Sequence, residues 1–181
     1  LTHGECLSVL NQFLVAGHET TSSAFGWGML LLCKNPEVQD ELRGDEKRLK
    51  TFVEEILRLE APVQGLPRLV TKDTKLGDYP LKAGDMVMLR YGAANRDERQ
   101  FEAPDKLDIH RAKAGAQLAF GAGVHFCIGA PLARQELNLG FKKLLDCAQD
   151  YRLDERAPPP QAEASFILRS LPTLPIKYEK I

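Results

Sequence analysis

Apolar and polar positions divide the chain into three unlike stretches. From about Glu5 to Cys33 the pattern reads as one long helix, stopped at Asn35-Pro36. Asn35 is placed to cap a second helix, with Pro36 in its first turn and Glu37 near its positive end. Gly44-Asp45 breaks the chain. Leu49, Phe52, Val53, Ile56 and Leu57 then fall at helical spacing and predict an amphipathic helix over 46–60 that ends before Pro62.

The middle of the chain changes character. Residues 68–90 alternate short β-prone pieces with turn signals at Gly77-Asp78 and Ala83-Gly84-Asp85, which predicts small hairpins. Residues 91–129 hold many glycines and little periodicity, and a long irregular stretch inside a compact domain is usually functional. A helix resumes near Ala130 and runs to about Ala148, with Leu132, Leu137, Phe141, Leu144 and Leu145 as its apolar stripe. After the turn at Ala157–Pro160, Phe166–Leu168 and Leu174–Tyr178 read as a closing hairpin. The expected fold class is mainly α with small β hairpins (α+β).

Composition narrows the function classes. The 181 residues suffice for one domain, and 44% hydrophobic with 27% charged residues is ordinary for a soluble globular protein. A formal net charge of −1 gives no reason to expect nucleic acid or an anionic membrane as partner. No apolar run is long enough to span a bilayer, and no signal peptide is visible in a chain that starts at Leu1. Cys6, Cys33, Cys127 and Cys147 are scattered, unlike a disulfide scaffold, and no C-x-x-C offers paired zinc ligands. A reduced, cytoplasmic setting is the expectation.

The segment richest in chemistry is Phe120-Gly121-Ala122-Gly123-Val124-His125-Phe126-Cys127-Ile128-Gly129. Glycines around a cysteine let backbone approach a large flat cofactor, and free amide N–H groups there donate to a thiolate sulfur. The helix that starts next adds partial positive charge, which favours the ionised sulfur. Two other readings stand beside this one. Gly121-x-Gly123 opens like a dinucleotide-binding turn but has Phe126 where a third glycine is needed, and a lone cysteine is most often an inert buried thiol.

Two further patterns need an account. In the first helix, Ala16-Gly17-His18-Glu19-Thr20-Thr21 interrupts the apolar pattern, while Gly17, Thr20, Ala24 and Gly28 form a stripe of small side chains. Such a stripe serves either a flat partner or close helix–helix packing. In the third helix, Glu55 and Arg58 stand three residues apart and can pair. At roughly 100° per residue, Arg58 falls opposite the apolar stripe and Glu55 at its flank, so periodicity alone makes them a solvated surface pair.

Phe120-x-x-Gly123-x-His125-x-Cys127-x-Gly129 resembles the haem-binding signature of the cytochrome P450 family, with every signature position filled. The resemblance implies that Cys127 ligates haem iron as thiolate, with Phe120 and Gly123 shaping the loop and His125 reaching a haem propionate. The Ala16–Thr21 segment resembles the family's oxygen-activation motif on the helix crossing the distal haem face. By that likeness Thr20 is the catalytic threonine and Glu19 the acid beside it. Activating dioxygen needs protons delivered to its outer oxygen, and a hydroxyl can relay one through water. In a regular helix that hydroxyl would bond back to the Ala16 carbonyl; Gly17 is expected to weaken the turn and open a small pocket. His18 reads as a packing or surface residue.

Glu55-x-x-Arg58 matches the family's structural pair, buried against the segment leading to the cysteine loop, which overrides the periodicity reading. The family completes this network with an arginine from a later segment that here reads Pro104-Asp105-Lys106-Leu107, so either Lys106 or Arg111 fills that place. Arg68 matches a position that pairs with a haem propionate, its plain alternative being a surface strand arginine. Ala16, Val63, Gly65, Leu66 and Ile167 match substrate-pocket stretches, and their apolar content points to a lipophilic substrate.

The resemblance covers essentially the whole chain and identifies residues 1–181 as the C-terminal haem-thiolate portion of a soluble, bacterial-type cytochrome P450, the remainder preceding Leu1. It implies a monooxygenase holding haem b (iron protoporphyrin IX). Electrons would come ultimately from NAD(P)H through a ferredoxin or flavodoxin-type donor, and dioxygen and a small organic molecule would be the substrates. A peroxide-driven enzyme and a truncated form inactive by itself are the alternatives. Lys113 and Arg134 are basic residues near the loop that an acidic ferredoxin would meet, solvated surface charge being the plainer reading.

Overall fold

The computed structural model describes residues 1–181. The long first helix, α1, spans His3–Lys34. Its start is fixed by a capping box in which Thr2 and Glu5 exchange hydrogen bonds, satisfying amides that have no partner inside the helix. Those bonds hold the Glu5 carboxyl below its ordinary range. Helix α2 spans Pro36–Leu42, with Pro36 in its first turn as expected. Asn35 does not cap it through its side chain. Its Nδ2 donates back to Leu31 O at 2.7 Å and closes the last turn of α1 instead.

Helix α3 spans Glu46–Leu59, capped by Asp45, whose Oδ1 accepts from the amides of Lys47 and Arg48. Four short strands follow: β1 (Leu66–Leu69), β2 (Thr74–Leu76), β3 (Tyr79–Leu81) and β4 (Met86–Leu89). Strands β2 and β3 form a hairpin nested inside the antiparallel β1–β4 pair, with Arg68 opposite Val87. A single helical turn, α4 (Tyr91–Ala94), then leads into the irregular stretch. The last helix, α5, spans Ala130–Cys147.

The chain end differs from the expectation. Phe166–Leu168 and Leu174–Tyr178 do not form a hairpin with each other. Strand β6 (Ile176–Lys180) instead pairs antiparallel with β5 (Ala148–Leu153), the continuation of α5. Leu168 makes an isolated bridge to Val63. The competing partners lie far along the chain, so local alternation could not rank them.

The core lies where α1, α3 and α5 meet, around Ala24, Leu32, Phe52, Val53, Ile56, Leu137 and Phe141. Phe141 packs edge-on to Phe52 and tilted against Phe25. A Cβ at Gly28 would collide with Phe141 and Ile56, so this end of the small-residue stripe serves close helix packing. The other end differs: residues 1–19 of the chain are exposed throughout, Gly17 included. Leu132, expected in the α5 stripe, is exposed, whereas Leu137, Phe141 and Leu145 are buried. No helix is long and apolar enough to cross a membrane.

Candidate functional site

The cysteine loop is built on two glycines in the left-handed region, Gly121 at φ 71° and Gly123 at φ 64°. They turn the chain so that the Cys127 amide donates back to Phe120 O at 2.9 Å and the Phe126 amide to Gly123 O at 3.0 Å. Cys127 stands exposed at the end of the loop, one turn before α5 begins, with Gly129 against its sulfur. The amides of Ile128 and Gly129 donate to no oxygen of the chain. Val124, Phe126 and Ile128 around the sulfur are exposed apolar residues. An inert buried thiol, one of the plainer readings, does not describe this cysteine.

Phe120 anchors the loop. Its ring lies 6.3 Å from that of Phe126 and carries the Arg134 guanidinium 4.7 Å above it. Arg134, on the first turns of α5, forms a forked pair with Glu54 of α3 at 2.5 and 3.1 Å. The Glu54 hydrogen bond raises its pKa above the ordinary value, and the contacts to Glu54 and Phe120 tie the side chain to the loop. Gln117 joins the same cluster, donating to Glu54 at 3.1 Å while its Oε1 accepts from the Ala119 amide.

Beneath the loop lies the Glu55–Arg58 pair. Both side chains are 0% exposed, against the surface reading and in line with the family likeness. Arg58 donates to Glu55 through Nε at 2.6 Å and Nη2 at 3.0 Å, then to the carbonyls of Asn95, Pro104 and Lys106. Phe101 covers its guanidinium at 5.2 Å. Arg111 completes the network, donating to Glu55 Oε1 at 2.9 Å; Lys106 contributes only its backbone carbonyl. Every polar end of the Glu55, Arg58 and Arg111 side chains is matched, the condition under which buried charge is tolerated, while Nδ2 of the neighbouring Asn95 has no partner.

Asn95, which the sequence reading passed over, links the two layers. It is fully buried, its carbonyl accepts from Arg58, and its Oδ1 accepts from the Leu118 amide at 2.7 Å, two residues before Phe120. A hydrogen-bonded path therefore runs from Glu55 through Arg58 and Asn95 to the cysteine loop. Nothing in the pattern of residues 91–95 marked it, because the stretch has no periodicity.

On α1, Ala16 and Glu19 are exposed and Thr20 is half-buried. Thr20 Oγ1 donates to Ala16 O at 2.8 Å, and the helix runs unbroken from His3 to Lys34. The expected loosening at Gly17 is therefore not present: one intrahelical hydroxyl bond costs the helix no backbone bond. His18 is exposed, as a surface residue. Arg68 on β1 donates only to Pro67 O and has no carboxylate partner, and His125 is exposed at the loop. Val63 and Ile167 lie where the stretch after α3 meets the C-terminal segment, Gln64 N–H donating to Ile167 O at 2.7 Å and Val63 bridging Leu168, while Leu66 pairs with Leu89 of β4. Gly65 is enclosed, since a Cβ there would strike the Leu89 carbonyl.

The family model described as Cytochrome P450 matches residues 1–179. The chain belongs to the cytochrome P450 family. It is 39% identical over 178 residues to cytochrome P450 107B1 of Saccharopolyspora erythraea, covering 98% of this chain and 44% of that protein. It is 38% identical over 181 residues to the cytochrome P450 monooxygenase PikC of Streptomyces venezuelae, covering 99% and 43%. The solved structure of CYP109Q5 from Chondromyces apiculatus superposes with a TM-score of 0.92 at 39% identity, over 100% of this chain and 46% of that one. The chain thus spans less than half the length of these P450 relatives.

Membership implies a haem-iron cofactor. The residues present fit such a group. An exposed sulfur beside two unused amides suits a metal-bound thiolate, and Arg68 is a cation without an anion.

Proposed function

We propose that residues 1–181 are the C-terminal haem-thiolate portion of a cytochrome P450 monooxygenase domain, with Cys127 as the iron ligand. The observation that carries this is the Cys127 loop itself, an exposed sulfur flanked by two unpaired amides and pinned at Phe120 O. When bound, haem b supplies the activation of dioxygen with two electrons. In this reading the free amides of Ile128 and Gly129 would turn to the iron-bound sulfur and help hold it ionised, and the adjacent start of α5 adds favourable charge. His125 and Arg68 bind the propionates, while Phe120 and Gly123 shape the cradle.

Thr20 and Glu19 act from α1. Thr20 Oγ1–H donates a hydrogen bond to Ala16 O, which leaves the hydroxyl oxygen as an acceptor for an incoming proton donor. Glu19, exposed beside it, takes protons from solvent and passes them on. Ala16, Val63, Gly65, Leu66 and Ile167 form the apolar wall that excludes water from a lipophilic substrate. Electrons come from NAD(P)H through a ferredoxin or flavodoxin-type donor, in a cytoplasmic setting. CYP109E1 of Bacillus megaterium was solved with corticosterone and with testosterone, which recommends steroids as first probes.

The test is isotopic. The full-length enzyme, supplied with a ferredoxin system, NAD(P)H, oxygen-18 gas and testosterone, is expected to yield product carrying one labelled oxygen. Label arriving only from labelled hydrogen peroxide would favour the peroxide-driven alternative. A second reading, that these 181 residues are inactive alone, is favoured by Leu7, Leu10, Phe13 and Leu14 lying exposed along α1.

A further inference from the structure

Residues 161–175 carry no regular structure, yet the part containing Ile167 is tied down from two sides. One set of ties runs to the stretch after α3. Gln64 N–H donates to Ile167 O at 2.7 Å, Arg169 N–H donates to Pro62 O at 2.8 Å, and Val63 and Leu168 form a bridge between them. The second set runs to α1 and converges on one residue. Trp27 Nε1–H donates to Arg169 O at 3.1 Å, and the Arg169 guanidinium lies over the Trp27 ring, 4.3 Å from its centroid. The same guanidinium donates through Nε to Glu60, the residue just after α3, and Arg96 stands 3.8 Å from the other oxygen of that carboxylate.

The two contacts constrain different motions. The ring face holds the guanidinium plane against α1, and the carboxylate holds it toward the end of α3. Trp27 is itself only 6% exposed, so the surface Arg169 rests on is fixed. Trp27 also sits seven residues beyond Thr20 on the unbroken helix, about two turns away. Ile167 is two residues before Arg169 and has no packed element of its own. Its carbonyl is tied to Gln64 and its neighbour Leu168 to Val63, so Arg169 supplies the tie that reaches α1.

We infer that Arg169 is a positioning residue for substrate selection: clamped between Trp27 and Glu60, it sets the distance of Ile167 from α1 and so the size of ligand admitted. It acts through Ile167 and touches no reacting atom. The inference rests on the reading of Val63, Leu66 and Ile167 as pocket wall. A lysine could not serve equally, because a point charge cannot cover the indole and direct a planar N–H at Glu60 together.

The test uses the full-length, haem-loaded enzyme and two nitrogen ligands read by their optical shift. Imidazole needs only the iron, whereas 1-dodecylimidazole must also fill the pocket. Ile167→Trp reports on the wall itself and is expected to change the ratio of the two dissociation constants. Arg169→Met is expected to change that ratio by about tenfold, the scale of a misplaced apolar contact. Plain imidazole affinity and the carbon monoxide band should stay as in the parent. Should Arg169→Met fail to take up haem, Trp27→Phe and Arg169→Lys are read in its place, each expected to move the ratio in the same direction. A ratio that responds to Ile167→Trp and stays within about twofold in the clamp variants overturns the inference and leaves the pocket reading standing. A ratio indifferent to Ile167→Trp overturns the pocket reading and the inference with it.

Discussion

Arg111 Nε donates to Glu55 Oε1 at 2.9 Å, and the same oxygen accepts from Arg58 Nε at 2.6 Å. One buried carboxylate thus serves two arginines, one beside it on α3 and one 56 residues on. Lys106, the other residue in line for this place, offers the network only its carbonyl, which accepts from both guanidinium groups. The position in the chain where a family arginine is expected and the position in space where the cation is needed are different residues.

That division gives an unequal pair of outcomes. Lys106→Ala leaves its carbonyl in place and should alter unfolding free energy by no more than about 0.5 kcal/mol. Glu55→Gln strands two buried guanidinium groups and should cost about 3–5 kcal/mol, the range for breaking a buried pair. Arg111→Ala, with its side chain 9% exposed, should fall between them. Urea denaturation followed by circular dichroism measures all three; equal effects from Lys106→Ala and Arg111→Ala would contradict the assignment.

The two ends of the small-residue stripe should separate in the same way. Gly28→Ala drives a methyl into Phe141 and Ile56, and overpacking of this kind costs about 1–3 kcal/mol. Gly17→Ala meets nothing within 4 Å in an exposed helical turn, and the gain in helix propensity is about 1 kcal/mol. The Gly17 variant should therefore melt higher while binding haem less well, if that face of α1 lies against the porphyrin. Thermal melting and haem titration read the two effects separately.

The four thiols differ in reach. Burial pushes the Cys33 thiol up to about 11, while Cys6, Cys127 and Cys147 are exposed. Since the thiolate is the nucleophile, iodoacetamide at pH 8 should label the three exposed cysteines quickly and Cys33 slowly. Haem should then protect Cys127 alone, which peptide mass spectrometry resolves. The Cys33 shift also sets a sign for stability. Its folded pKa lies above the unfolded value near 9.0, so the unfolded chain ionises first. Stability is whole below pH 9 and falls as pH rises toward about 11, and Cys33→Ser should flatten that fall.

Much of this architecture is written in local signals. Asn35-Pro36 and Gly44-Asp45 punctuate the first three helices within two residues of their ends, because proline geometry and capping chemistry act over one turn. Burial of Arg58 is not written there. Its three carbonyl partners, on Asn95, Pro104 and Lys106, come from an irregular stretch that no period describes, so only the family likeness located it. The β5–β6 pair escaped for a related reason: Ala148 meets Lys180 across a long loop, and its alternation is too short to outrank the helix before it. Asn95 combines both difficulties, being buried, polar and outside any element.

Haem binding in this chain depends on the sulfur of Cys127 bonding a porphyrin iron. Reduced, haem-loaded enzyme exposed to carbon monoxide tests it most directly. The parent protein should give the red-shifted Soret band of a thiolate ligand, and Cys127→Ser should lose that band while Cys6→Ser and Cys147→Ser keep it. A thiolate-type band persisting in Cys127→Ser would contradict the account.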